Sequence, residues 1–209
     1  MSDYSALASR GPVADAIAQS GWVRFWGATV VLALVMGLLL YAMFRDPARR
    51  APLRTAAFVF GGGLVFPAVV LTALLIYGTH VGERAIAPSA DALRVQVTAH
   101  QWWWEVRYPA VGDAAAFVIR DALVMPVGRP VELTLHSADV IHSLWIPRLA
   151  GKVDLIPGRT NVHRIEASAP GDYGGQCAEL CGVGHAGMKL AVRALPPAEF
   201  DAWRREQAR

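Results

Sequence analysis

The sequence predicts two N-terminal transmembrane helices followed by an all-β Greek-key sandwich, closed by a short C-terminal helix. Three observations carry this: apolar residues crowd before position 80, short alternating apolar and polar runs fill the rest, and no long amphipathic helix interrupts them. With 209 residues, 54% hydrophobic content and a mean hydropathy of +0.33, the chain is too apolar for an ordinary soluble domain. Its 18% of charged residues is too many for a wholly membrane-embedded chain. The expected organisation is an external N-terminal segment over 1–20, a transmembrane hairpin over 21–80 and one external domain over 81–209.

The first span runs from Trp22 to Phe44 with a single charge near its start, and a helix of that length reaches roughly 34 Å, enough to cross a bilayer. The second, Ala56 to Tyr77, has no charge, and its glycines and Pro67 are tolerated in lipid. Trp22, Trp26, Tyr41 and Tyr77 fall near the span ends, as interfacial aromatics do. Arg45, Arg49, Arg50 and Arg54 lie between the spans, which puts that connection on the cytoplasmic side and everything after about residue 80 outside.

Beyond the spans, Leu93 to Ala99 alternates cleanly, and Val131, Leu133 and Leu135 alternate with Glu132, Thr134 and His136. Further strand-like runs occur at Phe117 to Arg120, Val140 to Ile146, Val162 to Glu166 and Met188 to Ala194, separated by turns such as Pro157-Gly158 and Pro170-Gly171-Asp172. Many short strands with turn signals indicate a Greek-key sandwich. Pro196-Pro197-Ala198-Glu199 then opens a short helix with Phe200 and Trp203 on one face.

The net charge of +3 and pI near 9.1 do not point to nucleic acid, because acids and bases intermingle through the last two thirds of the chain.

Chemistry concentrates in Gly171 to Met188, GDYGGQCAELCGVGHAGM, whose glycines suggest a tight loop between strands. Cys181, His185 and Met188, joined by His142 from an earlier strand, make the thiolate, two-imidazole and thioether set of a mononuclear blue-copper site. Cys177 adds a second thiolate, and two thiolates can bridge two coppers. A disulfide between the cysteines, or tetrahedral zinc on Cys177, Cys181, His185 and His142, are alternatives open to the same residues. Met188 and the β context favour copper, since zinc rarely takes a thioether.

The pattern from His142 through Cys177, Glu179, Cys181 and His185 to Met188 resembles the CuA motif of cytochrome c oxidase subunit II in order and spacing. The blocks HSLWIPRLAGKVDLIPGR (142–159) and HQWWWEVRY (100–108) resemble that family too. The resemblance implies a cupredoxin fold and a binuclear copper centre bridged by Cys177 and Cys181. His142 and His185 would each bind one copper, Met188 would be a weak ligand, and Glu179 would ligate through its carbonyl. It implies a magnesium ion reached by the Glu179 carboxylate at a subunit interface, and electron entry through Trp102, with Trp104 a packing residue. The implied role is electron transfer from cytochrome c to haem in the catalytic subunit I of a proton-pumping oxidase, with subunit III as a further partner. The implied setting is the bacterial inner membrane ahead of the mitochondrial one, with the domain in the periplasm.

The chain departs from the family in places. Asp46 is the only acid between the spans, where many members carry a proton-uptake glutamate, and Trp103 replaces the usual middle tyrosine. No C-x-x-C-H haem motif follows the copper motif, so a separate donor is expected. A copper chaperone also uses C-x-x-x-C, but with one span and an α/β pattern. A quinol-oxidising relative would lack the copper ligands, and a nitric oxide reductase with the same centre would be distinguished by its catalytic subunit.

Overall fold

In the computed structural model, residues 4–209 are described except 47, 49–53, 86–88, 111 and 113–114, and the side chains of 84 and 85. Arg49 and Arg50 of the topology signal therefore lie outside the described residues. The chain divides into two units, Met1–Ala18 with Ala85–Arg209, and Gln19–Arg84.

The second unit is helical. Helix α1, Pro12–Phe44, starts a full ten residues before the predicted span at Trp22, because Pro12 is well placed to open a helix and the next residues are good helix formers. The second helical stretch comprises α2 (Thr55–Phe60), a π-helical turn over Gly61–Val65, and α3 (Phe66–Ala85). The widened turn sits where Pro67 has no N–H to give a carbonyl one turn back, and three glycines let the backbone adjust. Both helical stretches are long and apolar enough to cross a membrane, and none of either apolar window is buried. An added Cβ at Gly78 would stand 3.2 Å from the Arg24 guanidinium. The start of one span therefore neighbours the end of the other, as a hairpin requires.

The first unit is a sandwich of two five-stranded sheets. One contains β1 (Leu93–His100), β2 (Trp103–Tyr108), β3 (Phe117–Arg120), β5 (Val131–Ser137) and β8 (Asn161–Ile165), in the order β3-β2-β1-β5-β8. The other contains β4 (Ala122–Pro126), β6 (His142–Trp145), β7 (Val153–Leu155), β9 (Gly171–Cys177) and β10 (Lys189–Leu195), in the order β4-β10-β9-β6-β7. β1 pairs with β5, and β4 with β10, in parallel, while the other pairings are antiparallel. Such parallel pairs cannot be joined by tight hairpins and need long connections between the strands.

The alternation read in β1 and β5 is realised, with Leu93, Val95, Val97, Ala99, Val131, Leu133 and Leu135 all buried. Asp121 makes the corner where the chain passes from β3 to β4. It adopts φ 54°, its Oδ1 accepts the Trp104 N–H at 2.7 Å, and its own N–H donates to the Trp104 carbonyl at 2.9 Å. Tyr108 ties the two sheets: its hydroxyl donates to the Val124 carbonyl at 2.7 Å and accepts the Val124 N–H at 2.8 Å. Burial pushes that phenol above its ordinary range.

Three strands escape the sequence pattern. β4 and β7 are short, and β9 begins inside the segment expected to be loop, so that only the part after Cys177 is loop. The reason is backbone pairing: Gly171 to Gln176 lie against β10, and Gly174 and Gly175 have no side chain to announce an inward face. Gly174 is bare because the Tyr4 ring lies over it, where an added Cβ would come within 2.5 Å. Helix α4, Pro197–Gln207, forms as expected and buries Phe200, with Phe200 and Trp203 5.7 Å apart.

The N-terminal segment is part of this unit. The Arg10 N–H donates to the Arg148 carbonyl at 2.7 Å, and the Arg10 carbonyl accepts the Ser168 N–H at 2.8 Å. Gly11 lies so near the Glu166 carbonyl that an added Cβ would be 2.0 Å from its oxygen.

Candidate metal centre

Two neighbouring strands and one loop build the site. His142 is the first residue of β6 and Cys177 the last of β9, and the strands pair through Leu144 and Cys177. After Cys177 the chain loops out and returns at Met188. The Cys177 N–H donates to the Met188 carbonyl at 3.0 Å and closes the neck of that loop. Gly182, at φ 116°, turns the chain just after Cys181, and a short 3-10 turn over His185–Gly187 brings His185 back.

Six predicted donors converge. The two Sγ atoms stand 3.8 Å apart, and both cysteines are free thiols. Cys177 Sγ has His142 Nδ1 at 3.8 Å and the Glu179 carbonyl oxygen at 3.2 Å. Cys181 Sγ has His185 Nδ1 at 3.6 Å and Met188 Sδ at 3.9 Å. The ligand atoms of His142, Cys177 and Cys181 all lie within 4.8 Å of one another. Each cysteine thus carries one imidazole and one weaker donor beside it. Six donors in this doubled arrangement exceed what a closed tetrahedral zinc site uses, and they suit two soft metal ions sharing two thiolates.

The donors are dry. His142 is fully buried, and Cys177, Cys181 and Met188 are at most 5% exposed. Burial pushes the Cys181 thiol up to about 11, with the adjacent Cys177 adding to the rise, so metal binding has to displace a tightly held proton.

Sequence reasoning missed the groups behind the donors. Asp139 Oδ1 lies 2.7 Å from His142 Nε2, and Asp139 Oδ2 accepts the Gln101 N–H at 2.7 Å. Burial acts to raise the Asp139 carboxyl, but the hydrogen bonds from His142, Val140 and Gln101 outweigh it and hold the group below its ordinary value. A carboxylate three residues before a candidate ligand histidine was the available signal. The Glu179 carboxylate is held by Lys152 at 3.2 Å, and Lys152 also reaches Asp154 at 3.0 Å. Lys152 keeps the Asp154 carboxyl below its usual range.

Trp102 lies in the turn between β1 and β2. Its Nε1–H donates to the Cys181 carbonyl at 3.1 Å, and Gln101 Nε2 donates to the same oxygen at 2.8 Å. The ring, 38% exposed, covers Gly184, where an added Cβ would stand 2.4 Å away. Trp104 is fully buried with its ring 6.3 Å from that of His142, while Trp103 stacks on His100 at 4.2 Å. Of the remaining histidines, His80 is exposed near Glu83, His136 meets Thr160, and His163 is buried.

A sandwich with parallel first-strand pairing and two thiols, two imidazoles and a thioether at one end defines a cupredoxin-type metal domain, here following two membrane-spanning helices. Comparison with known proteins narrows the class. Residues 110–195 match a family model for the cytochrome c oxidase subunit II periplasmic domain. Cytochrome c oxidase subunit 2 of Alkalihalophilus pseudofirmus is 45% identical over 113 residues, 54% of this chain and 32% of that protein. The Synechocystis subunit 2 is 44% identical over 123 residues, 59% of this chain and 36% of that protein. The match thus spans about a third of the length of these two relatives. The crystal structure of the periplasmic domain of cytochrome oxidase subunit II of Bradyrhizobium japonicum superposes with a TM-score of 0.54 at 33% identity, covering 58% of this chain and 96% of that one. The chain belongs to the cytochrome c oxidase subunit II family.

Proposed function

We propose that this chain is the electron-transfer subunit of a terminal respiratory oxidase. It accepts electrons from cytochrome c at a binuclear copper centre and passes them to haem in catalytic subunit I, where oxygen is reduced to water with proton pumping. The observation that carries this reading is the doubled donor set, in which Cys177 and Cys181, 3.8 Å apart, each have one imidazole and one weaker donor at hand. Bound copper supplies one-electron exchange between Cu(I) and Cu(II), which soft sulfur and imidazole both tolerate.

The protein's own residues do the rest. A binuclear copper centre would be held by Cys177 and Cys181 as thiolates, by His142 and His185 as imidazole donors, and by Met188 and the Glu179 carbonyl as weaker ones. Asp139 fixes the ring plane of His142, and the closed neck of the loop restrains the donors when charge changes, so little reorganisation accompanies each electron. Trp102 is the entry point: it is partly exposed, and its indole N–H bonds the carbonyl of a proposed ligand, Cys181. The Glu179 side chain, 45% exposed, is free to exchange Lys152 for a magnesium ion offered at the interface with subunit I, and subunit III completes the assembly. The arginines between the spans orient the hairpin with its connection in the cytoplasm. Residues 81–209 then form the periplasmic domain of a bacterial inner-membrane protein, with 21–80 the hairpin and 1–20 an external segment.

The test is to load the full chain with copper in neutral detergent and to measure metal stoichiometry and the electron paramagnetic resonance spectrum. An unpaired electron shared equally by two copper nuclei gives seven hyperfine lines, and one copper gives four. Two coppers with seven lines are expected. One copper, or none in folded protein, would overturn the reading.

A further inference from the structure

The opposite end of β1 from Trp102 carries a second feature, in which four cations converge with one acid among the described lining residues. A recess of about 430 Å³ is lined by Arg94, Arg129, Arg204 and Arg205, with Asp201 as the only acid among its lining residues. Arg94 is on the exposed face of β1, Arg129 lies in the turn before β5, and Arg204 and Arg205 occupy the last turn of α4. Basic residues at a helix C-terminus are favoured by the helix dipole, which accounts for the last two alone. It does not account for Arg94 and Arg129 facing the same space.

Among the described residues none of the four guanidiniums is ion-paired. Arg129 Nε donates to the Asp91 carbonyl at 2.8 Å, and Arg204 Nη2 donates to the Pro109 carbonyl at 2.7 Å. These bonds anchor the two side chains and leave other N–H groups of each fork unspent. The Nε of Arg204 is buried with no acceptor. Elsewhere in this domain arginines find acids, as Arg164 does with Glu132 and Arg193 with Asp172. Burial, with the charge of Arg129 adding, lowers the proton affinity of Arg204, as expected where like charges share a space.

We propose that this recess is an anion site for a phosphate group, held by the forks of Arg94, Arg129, Arg204 and Arg205. Among the described lining residues four cations face one carboxylate, an excess of three positive charges that matches a multiply charged tetrahedral oxyanion better than a single carboxylate. The recess has room for a phosphate carried on a larger molecule, either a soluble diphosphate or an anionic lipid headgroup. β1 has eight residues, so the recess lies roughly 25 Å from the Trp102 turn. It is separate from the metal centre.

The full chain in neutral detergent, titrated with inorganic pyrophosphate and followed by calorimetry and ³¹P line width, tests this. Parallel titrations use short-chain phosphatidylglycerol and, as the uncharged control, phosphatidylcholine. Saturable binding of pyrophosphate or phosphatidylglycerol but not phosphatidylcholine is expected, and the tighter of the two identifies the source. Arg94→Gln with Arg205→Gln, both at exposed positions, should weaken it at least tenfold, and Asp201→Asn should strengthen it. No saturable binding by either phosphate probe, or binding that neither set of substitutions changes, overturns the site.

Discussion

Asp139 Oδ1 stands 2.7 Å from Nε2 of His142, and the other ring nitrogen of the same imidazole faces Cys177 Sγ at 3.8 Å. One carboxylate therefore decides which nitrogen of His142 is offered to a metal. An imidazole whose outer nitrogen donates to a carboxylate presents its inner nitrogen unprotonated, in a fixed plane and with raised basicity. Asp139→Ala should lower copper affinity about 10- to 100-fold, with Asp139→Asn intermediate. Competition with a chelator measures this, and an alanine variant that binds as tightly as the parent would remove Asp139 from the site.

Trp102 depends on a residue that has no side chain. Gly184→Ala would place a methyl 2.4 Å from the indole and push the ring off the loop. The expected outcome is copper loading and spectrum close to the parent, with reduction by cytochrome c slowed. Trp102→Phe should slow it as well, because the bond to the Cys181 carbonyl is lost. Stopped-flow reduction decides: unchanged rates in both variants would place electron entry elsewhere.

Gly11 is the pin of the N-terminal strap. A Cβ there would overlap the Glu166 carbonyl at 2.0 Å, and the flanking bonds through Arg10 and Ala14 would be lost with it. Gly11→Ala should cost about 1–3 kcal/mol in denaturant unfolding of the β-domain and should expose the segment before it to protease. Equal protease resistance in parent and variant would show that the strap is not held as described.

His163 ties stability to pH. Burial lowers its pKa from 6.5 to about 4, against a smaller opposing effect of the bond to the Gly151 carbonyl. The unfolded chain then binds the proton more tightly than the folded one, so stability is intact above pH 6.5 and is lost as pH falls toward 4. At pH 5 the loss attributable to this group is about 2 kcal/mol. Urea unfolding of metal-free protein at pH 7 and pH 5 should show a smaller pH difference in His163→Leu than in the parent. Equal differences would mean that His163 keeps its ordinary proton affinity.

The sequence alone determined whatever depends on composition and period. Two apolar stretches carrying a single charge in all must be helical in lipid, because an isolated stretch can satisfy its backbone hydrogen bonds there only within itself. Strict alternation put Leu93, Val95 and Val97 into the core, and the spacing of Cys177, Cys181, His185 and Met188 made a candidate metal site legible before any fold was known. What depends on partners distant in the chain was not legible. β9 is placed by backbone pairing with β10 and β6, which its glycine-rich sequence does not announce, so it read as loop. Trp102 meets the loop after Cys177 because the β1–β2 turn carries it there. Lys152 came to hold Glu179, and four arginines from three separate elements to share one recess. Each of those is a meeting of charges or hydrogen bonds across the sandwich, and only the tertiary structure decides which polar groups end up facing one another.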